Sequence, residues 1–168
     1  VLVEGKIDKE YIEHISSLNI AGYCIPDHVE IIPYGGKDAL KNAIMLKFVI
    51  EKFDRVFITY DLDTKCDLKK AMNQLNLTEG EDHFAVGIDG DGKDCIEGLL
   101  PEGLHSKVHA LNTDLIMRLT SSDNNKRKSA KNEIKSKLLN EFKLEKSLTS
   151  VDLKGFKALF TAITRAFK

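Results

Sequence analysis

The amino-acid sequence predicts an α/β fold: a four-stranded parallel sheet flanked by helices, followed by a helical C-terminal segment. Short apolar runs alternate with segments whose apolar residues recur at helical spacing, which is typical of a parallel sheet covered by helices. Acidic residues directly follow two of the apolar runs. With 168 residues and 42% hydrophobic content, the chain suffices for one domain and a small appendage. We expect a core over residues 1–101 and a helical extension over residues 102–168 that packs on it.

The expected strands are short runs rich in β-branched and aromatic residues, each bounded by polar or turn-forming residues. They lie near residues 1–4, 28–32, 55–60 and 83–88. The second strand is closed by Pro33 and the turn pair Gly35-Gly36.

The segments between and after the strands have helical periodicity. Asp8 stands in the N-cap position of the first, whose apolar face includes Tyr11, Ile12 and Ile15. In the third, Leu68 begins an i, i+3, i+4, i+7 series. The other expected helices lie near residues 38–53, 95–100, 108–119, 130–142 and 152–167.

Composition excludes several classes of protein. No apolar run approaches the roughly 20 residues of a membrane-spanning helix, and no signal-peptide pattern is present, so we expect a cytoplasmic protein. The three cysteines show no zinc-ligand spacing. No Gly-x-x-x-x-Gly-Lys-Ser/Thr motif occurs, which argues against ATP binding by a P-loop. The chain starts inside an apolar run without an initiator methionine, so we expect a fragment of a longer protein.

Charge is distributed unevenly although the formal net charge is −1. Residues 61–97 contain ten acidic residues against four lysines, and residues 121–146 contain eight basic residues against four acidic ones. The first segment is suited to hold cations and the second to meet phosphates, although solvated surfaces have similar compositions.

The acidic residues with the clearest functional pattern follow the first and third strands. Glu4 is followed by Gly5, which lets the backbone turn sharply, and Asp61 and Asp63 follow the third strand with one residue between them. Ligands of open parallel sheets bind at the carboxyl ends of the strands. Carboxylates there suit Mg²⁺, which prefers oxygen ligands.

Leu2-Val3-Glu4-Gly5, followed after a later hydrophobic strand by Asp61-Leu62-Asp63, closely resembles the Toprim signature. The Toprim family includes primases, topoisomerases and small nucleases, and the resemblance covers roughly residues 1–100. It implies a Rossmann-like fold in which Glu4 serves as general acid/base or metal ligand. It also implies that Asp61 and Asp63 bind Mg²⁺.

Finer features resemble the OLD (overcoming lysogenization defect) branch of that family. They are Glu4-x-x-x-Asp8, Thr59 before the Asp-x-Asp pair, Glu97 after the fourth strand, and a helical continuation to the C-terminus. The resemblance implies a DNA endonuclease that uses two Mg²⁺ or Mn²⁺ ions and commonly follows an ABC-type ATPase domain. It assigns one ion to Glu4, Asp61 and Asp63, and the second to Asp8, Thr59 and Glu97.

Basic residues of the C-terminal part supply two further candidate groups. The resemblance implies a late lysine at the scissile phosphate, for which we choose Lys154, with Lys157 as the next candidate. The stretch Lys126-Arg127-Lys128, with Lys131 and Lys135, is a candidate for contacts with the DNA backbone, because phosphate contacts dominate nucleic-acid affinity. A solvated helix surface is an equally good interpretation of that stretch.

Other functions remain open on the sequence. An RNA-maturation nuclease or a primase shares the same motifs, and a catalytically idle Toprim module would bind only nucleic acid or a partner. A topoisomerase requires a nucleophilic tyrosine, for which the sequence offers no good candidate. The loop from Asp89 to Asp94 departs from the EF-hand calcium template at Lys93 and is interpreted as a strand-to-helix turn. The segment Gly35-Gly36-Lys37 is interpreted as a turn, with a place beside the site left open.

Overall fold

A computed structural model describes residues 1–90 and 92–168, apart from the side chains of Lys37 and Met45. The four expected strands form one parallel sheet in the order β2-β1-β3-β4, which confirms the α/β fold. The strands are β1 (Leu2–Val3), β2 (Ile32–Pro33), β3 (Ile58–Asp61) and β4 (His83–Val86). Asp91, in the loop that we interpreted as a strand-to-helix turn, lies outside the described residues.

Helices connect the strands and make up the C-terminal part. They are α1 (Lys6–Ser17), α2 (Lys37–Lys41), α3 (Ala43–Lys52), α4 (Lys65–Gln74), α5 (Glu102–Leu111), α6 (Thr113–Leu119), α7 (Asn124–Leu144) and α8 (Lys157–Ala166). Three short 3-10 turns cover Leu62–Thr64, Ile96–Leu99 and Lys154–Phe156. None of the helices in the described ranges is long and apolar enough to cross a membrane.

The two faces of the sheet belong to two apolar clusters, because successive strand side chains point to opposite faces. Val3, Phe57 and Val86 contribute to the larger cluster, and Ile58 and Tyr60 contribute to the smaller one. The larger cluster contains buried residues of α1, α5, α6, α7 and α8, and the smaller one buried residues of α2, α3 and α4. Each face is therefore covered by helices.

The C-terminal segment shares its core with α1. Tyr11, Phe142 and Phe156 are fully buried, and their ring centroids lie 5.6 to 6.3 Å apart. Aromatic side chains of this size contribute strongly to core stability through buried area and ring contacts. Residues 102–168 therefore help to form the core on one face of the sheet.

The second strand is shorter than expected and includes Pro33, which we had placed outside it. Ile32 N and Tyr34 N donate to Val1 O and Val3 O of the first strand, at 2.8 and 2.9 Å. The intervening Pro33 nitrogen faces the open edge of the sheet, where proline is tolerated because no donor is needed there. The expectation of a strand over residues 28–32 was wrong in its bounds.

Several helix bounds also differ from the expected ones. The helix expected over residues 38–53 is broken at Asn42, and a second break falls at Asn112; both asparagines have non-helical dihedral angles. Asparagine side chains compete with the helical backbone for hydrogen bonds, which favours such breaks. The helix expected over residues 95–100 is a 3-10 turn. Helix α7 begins earlier than expected because Asp123 caps it, accepting from Asn125 N at 2.8 Å and Lys126 N at 3.3 Å.

Candidate functional site at the carboxyl edge of the sheet

Glu4 follows β1 directly and is held there by its backbone. Its carbonyl accepts hydrogen bonds from Gly35 N at 3.1 Å and Gly36 N at 3.0 Å, so the turn before α2 lies beside the end of β1. One of its carboxylate oxygens, Oε2, is buried and has no hydrogen-bond partner. A buried oxygen in this state favours an incoming cation or donor.

Asp8 lies in the first turn of α1 and has a structural role there. Its Oδ2 accepts from Gly5 N at 2.8 Å, which satisfies one of the free N–H groups at the helix start. The pKa of Asp8 is raised to about 6, mainly by burial and also by Glu97, whereas the hydrogen bond from Gly5 acts to lower it. Asp8 is therefore both a helix cap and a member of an acidic cluster.

Asp61 is the last residue of β3, and its pKa is raised further than that of Asp8. Its pKa is raised to about 8, mainly by burial and also by Asp8, Glu4 and Glu97, whereas Lys135 acts to lower it. Mutual electrostatic effects of this kind require the side chains to be close. The structure therefore brings together four acids that the sequence identified, namely Glu4, Asp8, Asp61 and Glu97.

Asp63 lies in the turn that follows β3, and its predicted place at a metal ion stays a prediction. The chain enters a 3-10 turn at Leu62, so the two-residue period of the strand does not continue from Asp61 to Asp63. Asp63 is exposed and lines a shallow pocket of about 330 Å³ together with Asp89 and Asp94.

Glu97 is the most buried carboxylate of the cluster, at 3% exposure. It lies in the Ile96–Leu99 turn, and neither of its carboxylate oxygens accepts a well-aligned hydrogen bond. Lys135 Nζ nevertheless lies 3.0 Å from its Oε2 and forms an ion pair with it. The next residue, Gly98, is packed against the backbone of Lys93 so closely that a Cβ would collide with it.

Lys135 is the basic residue of the cluster; the sequence analysis named it only among the candidate contacts with the DNA backbone and not as part of the acidic site. Its side chain is 24% exposed. Burial lowers the pKa of Lys135, but Glu97, Cys95 and Asp61 outweigh burial and raise it, so the ammonium stays charged. The available signal was helical spacing, because Lys135 precedes the buried Leu139 and Phe142 by four and seven residues.

Thr59 is buried in β3, and its hydroxyl donates to Leu2 O at 3.3 Å across the sheet. Its hydroxyl therefore already supports the pairing of the two central strands. Its predicted place at a second metal ion stays a prediction.

The two late lysines that the sequence favoured lie elsewhere. Lys154 is exposed in the Lys154–Phe156 turn and forms no ion pair within the described part of the chain. Lys157 is also exposed and lies over the ring of Tyr23, with Nζ 5.2 Å from the ring centroid. Neither is joined to the acidic cluster by a contact among the described residues, and the phosphate role of Lys154 stays a prediction.

The basic stretch forms the start of α7. Lys126 and Lys128 are exposed, whereas Arg127 donates to Ser121 O at 2.7 Å and to Asn124 Oδ1. Arg127 is therefore engaged by its own chain, unlike its two neighbours.

The donor set of the cluster fits a hard divalent cation. Two buried carboxylate oxygens, Glu4 Oε2 and Glu97 Oε1, have no hydrogen-bond partner in the described part of the chain, whereas Glu97 Oε2 is paired with Lys135. Carboxylate oxygens are preferred ligands of Mg²⁺ and Mn²⁺. In residues 1–90 and 92–168, however, no group of three His, Cys, Asp or Glu side chains is already gathered as a metal site. The acids therefore lie near one another, but their carboxylates are not arranged to coordinate one metal ion.

Comparisons with known proteins add no assignment. No protein-family model, curated protein or solved structure matches the chain significantly.

Proposed function

We propose that the chain is a metal-dependent DNA endonuclease of the Toprim type that hydrolyses phosphodiester bonds with two Mg²⁺ or Mn²⁺ ions. The proposal is carried by one observation: Glu4, Asp8, Asp61 and Glu97 meet beside Lys135 at the carboxyl edge of the sheet. Burying acids together is unfavourable unless cations compensate them. A protein gains from such an arrangement when it binds metal ions or a reacting group.

Glu4 and Asp61 would hold one ion, and Asp8 and Glu97 the other. Asp63 would be a further ligand of the first ion and Thr59 of the second, once their segments rearrange locally. The ions, when bound, would activate the attacking water and stabilise the leaving oxygen.

Lys135 is the lysine that we assign to the scissile phosphate, in preference to Lys154. It is charged, partly buried and 3.0 Å from a carboxylate oxygen of the cluster. A fixed ammonium in a partly desolvated site stabilises the negative charge that grows on a phosphate in the transition state. Its ion pair with Glu97 positions the ammonium before substrate arrives.

Asp8 would act as a ligand whose orientation is set by the helix start. Since Oδ2 accepts from Gly5 N, the carboxyl plane is restrained and Oδ1 is left for a cation. A restrained ligand loses less conformational freedom on binding, which favours affinity.

The test is the conversion of supercoiled plasmid to nicked or linear DNA by the purified chain in Mg²⁺, Mn²⁺, Ca²⁺ or EDTA. We expect cleavage in Mg²⁺ or Mn²⁺ only, and its loss in Asp61→Asn. Asp54→Asn, at an exposed position before β3, is the matched control and should cleave normally. Cleavage that survives EDTA, or undiminished cleavage by Asp61→Asn, would overturn the proposal.

An RNA substrate of the same sequence is a necessary further arm. Cleavage of RNA but not DNA would reassign the chain to RNA processing. Binding of either without metal-dependent cleavage would indicate a catalytically idle module.

A further inference from the structure

We propose that the N-terminal half of α7 is a binding track for the phosphate backbone of a DNA strand, formed by Lys128 and Lys131 and leading to Lys135. This inference rests on the proposed function, because it takes the acidic cluster as the site to which the DNA strand is led. It narrows the DNA contacts to one face of α7, whereas the sequence analysis placed them along the whole basic stretch Lys126-Arg127-Lys128 with Lys131 and Lys135.

The face is defined by helical spacing. A residue advances about 100° around an α-helix, so Lys131 and Lys128 lie within about 40° of Lys135. In the C-terminal half of α7 this same face is buried by Leu139 and Phe142. In the N-terminal half it is exposed, at both Lys128 and Lys131. The face of α7 that carries Lys135 is therefore exposed to solvent at Lys128 and Lys131.

Acidic residues of α7 are absent from this face. Glu133 and Glu141 lie more than about 100° from Lys135 around the helix. They are occupied by other elements, since Glu133 pairs with Arg118 and Glu141 with Lys107. Neither Lys128 nor Lys131 forms an ion pair within the described ranges, so both ammonium groups remain available.

The track also has a suitable length. At about 1.5 Å of rise per residue, Lys128 lies about 10 Å along the axis from Lys135. A strand of duplex DNA presents roughly three phosphates over that distance. Three lysines at this spacing can each meet one phosphate of a single strand.

Electrostatics explains why such a track is needed. A phosphodiester strand must approach four clustered acids, which repel it before any ion pair forms. Positive charge beside the cluster lowers this barrier and raises the rate of productive encounter. Lys128 and Lys131 are the exposed lysines on the face of α7 that reaches the cluster through Lys135.

The experiment compares two double variants that remove equal charge from the same helix. K128A/K131A removes the proposed track, and K126A/K137A removes exposed lysines from the opposite face. Fluorescence anisotropy with a labelled 20-base-pair duplex, in EDTA between 50 and 200 mM NaCl, measures affinity and its salt dependence. Exposed lysine-to-alanine changes favour helix formation, and loss of lysine near a helix start does not oppose the dipole, so both variants should fold. Circular dichroism checks the fold.

We expect K128A/K131A to weaken binding on the order of tenfold at 100 mM NaCl, and to flatten the slope of log affinity against log salt by about two. K126A/K137A should stay within twofold of the wild type. Equal losses in both variants would show that net charge alone matters and would overturn the track, as would a wild-type chain that does not bind the duplex. If K128A/K131A unfolds, K128Q/K131Q replaces it with the same expected result.

Plasmid cleavage separates this inference from the proposed function. Face-specific binding without metal-dependent cleavage would leave the track standing and reject the nuclease. If the chain cleaves in a metal-dependent way but both double variants bind DNA equally, the nuclease proposal stands and the track is rejected. A labelled single strand and an RNA duplex of the same sequence show which form of nucleic acid the track favours.

Discussion

Lys135 Nζ lies 3.0 Å from Glu97 Oε2 and so connects α7 to the turn after β4 at the carboxyl edge of the sheet. The pair joins the most buried carboxylate of the cluster to its single described lysine. Burying either charge without the other is costly, so the two residues depend on each other.

Replacing Lys135 with methionine should therefore destabilise the metal-free chain. The variant keeps the aliphatic length and leaves the buried Glu97 carboxylate unpaired. We expect the free energy of unfolding to fall by roughly 2–4 kcal/mol in urea titrations at pH 7 with EDTA. Lys131→Met, at an exposed position of the same helix, should change it by less than about 0.5 kcal/mol. A Lys135→Met chain as stable as the wild type would contradict the importance of the ion pair.

Stability of the metal-free chain should decrease as pH rises from about 4 to about 8. Burial raises the pKa of Asp61 from 3.8 to about 8, and that of Asp8 from 3.8 to about 6. The folded chain therefore binds more protons than the unfolded chain in this interval, and their loss opposes folding. Asp61→Asn should remove most of this dependence and raise the melting temperature at pH 8 by several degrees. Asp63→Asn, at an exposed position, is the control; if it has the same effect, Asp61 is not the titrating group.

Divalent metal should reverse that trend. At 10 mM Mg²⁺ and a dissociation constant near 0.1 mM, binding adds about 2.7 kcal/mol, or roughly 5–10 °C in melting temperature. The shift should be larger at pH 8 than at pH 6, since Asp61 must lose its proton to bind metal. It should vanish in Asp61→Asn and persist in Asp54→Asn. A shift that is equal in all three proteins would reflect non-specific ion effects.

Two glycine-to-alanine changes should have opposite signs. A Cβ at Gly98 would collide with the backbone of Lys93, whereas one at Gly103 in α5 meets open space. Gly98→Ala should cost about 1–3 kcal/mol by overpacking and should lower cleavage, because Glu97 is adjacent. Gly103→Ala should gain up to about 1 kcal/mol of helix stability without changing cleavage. Differential scanning calorimetry measures both, and a neutral Gly98→Ala would show that the turn can relax.

The sequence allowed the sheet and the acids at its edge to be predicted, since both depend on local patterns. Strand-length apolar runs placed the four strands, and residues after strands in a parallel sheet share one edge. Glu4 and Asp61 followed directly from this rule. The sequence did not predict that the chain leaves the strand for a 3-10 turn between Asp61 and Asp63, and the metal role of Asp63 stays a prediction.

Helical spacing puts Lys135 on the face of α7 that Leu139 and Phe142 bury, but its pairing with Glu97 could not be predicted from local patterns. Lys135 reaches Glu97 because α7 packs against α1 and α5, which are tertiary contacts between separate segments. Lys154 was favoured on resemblance to a family, and its position in an exposed turn depends on how Phe156 enters the core. Such placements are set by packing between distant parts of the chain.

The spread of the cluster along the chain has a consequence for biosynthesis. Glu4, Asp8, Asp61 and Glu97 are all translated before Lys135, and the aromatic core beneath α1 needs Phe142 and Phe156, which come later still. Contacts between such distant residues carry a large loop-closure cost and form late in folding. A nascent chain on the ribosome therefore carries the acids without their counter-charge, and the cluster takes its final form only when synthesis of α7 and the segment after it is complete.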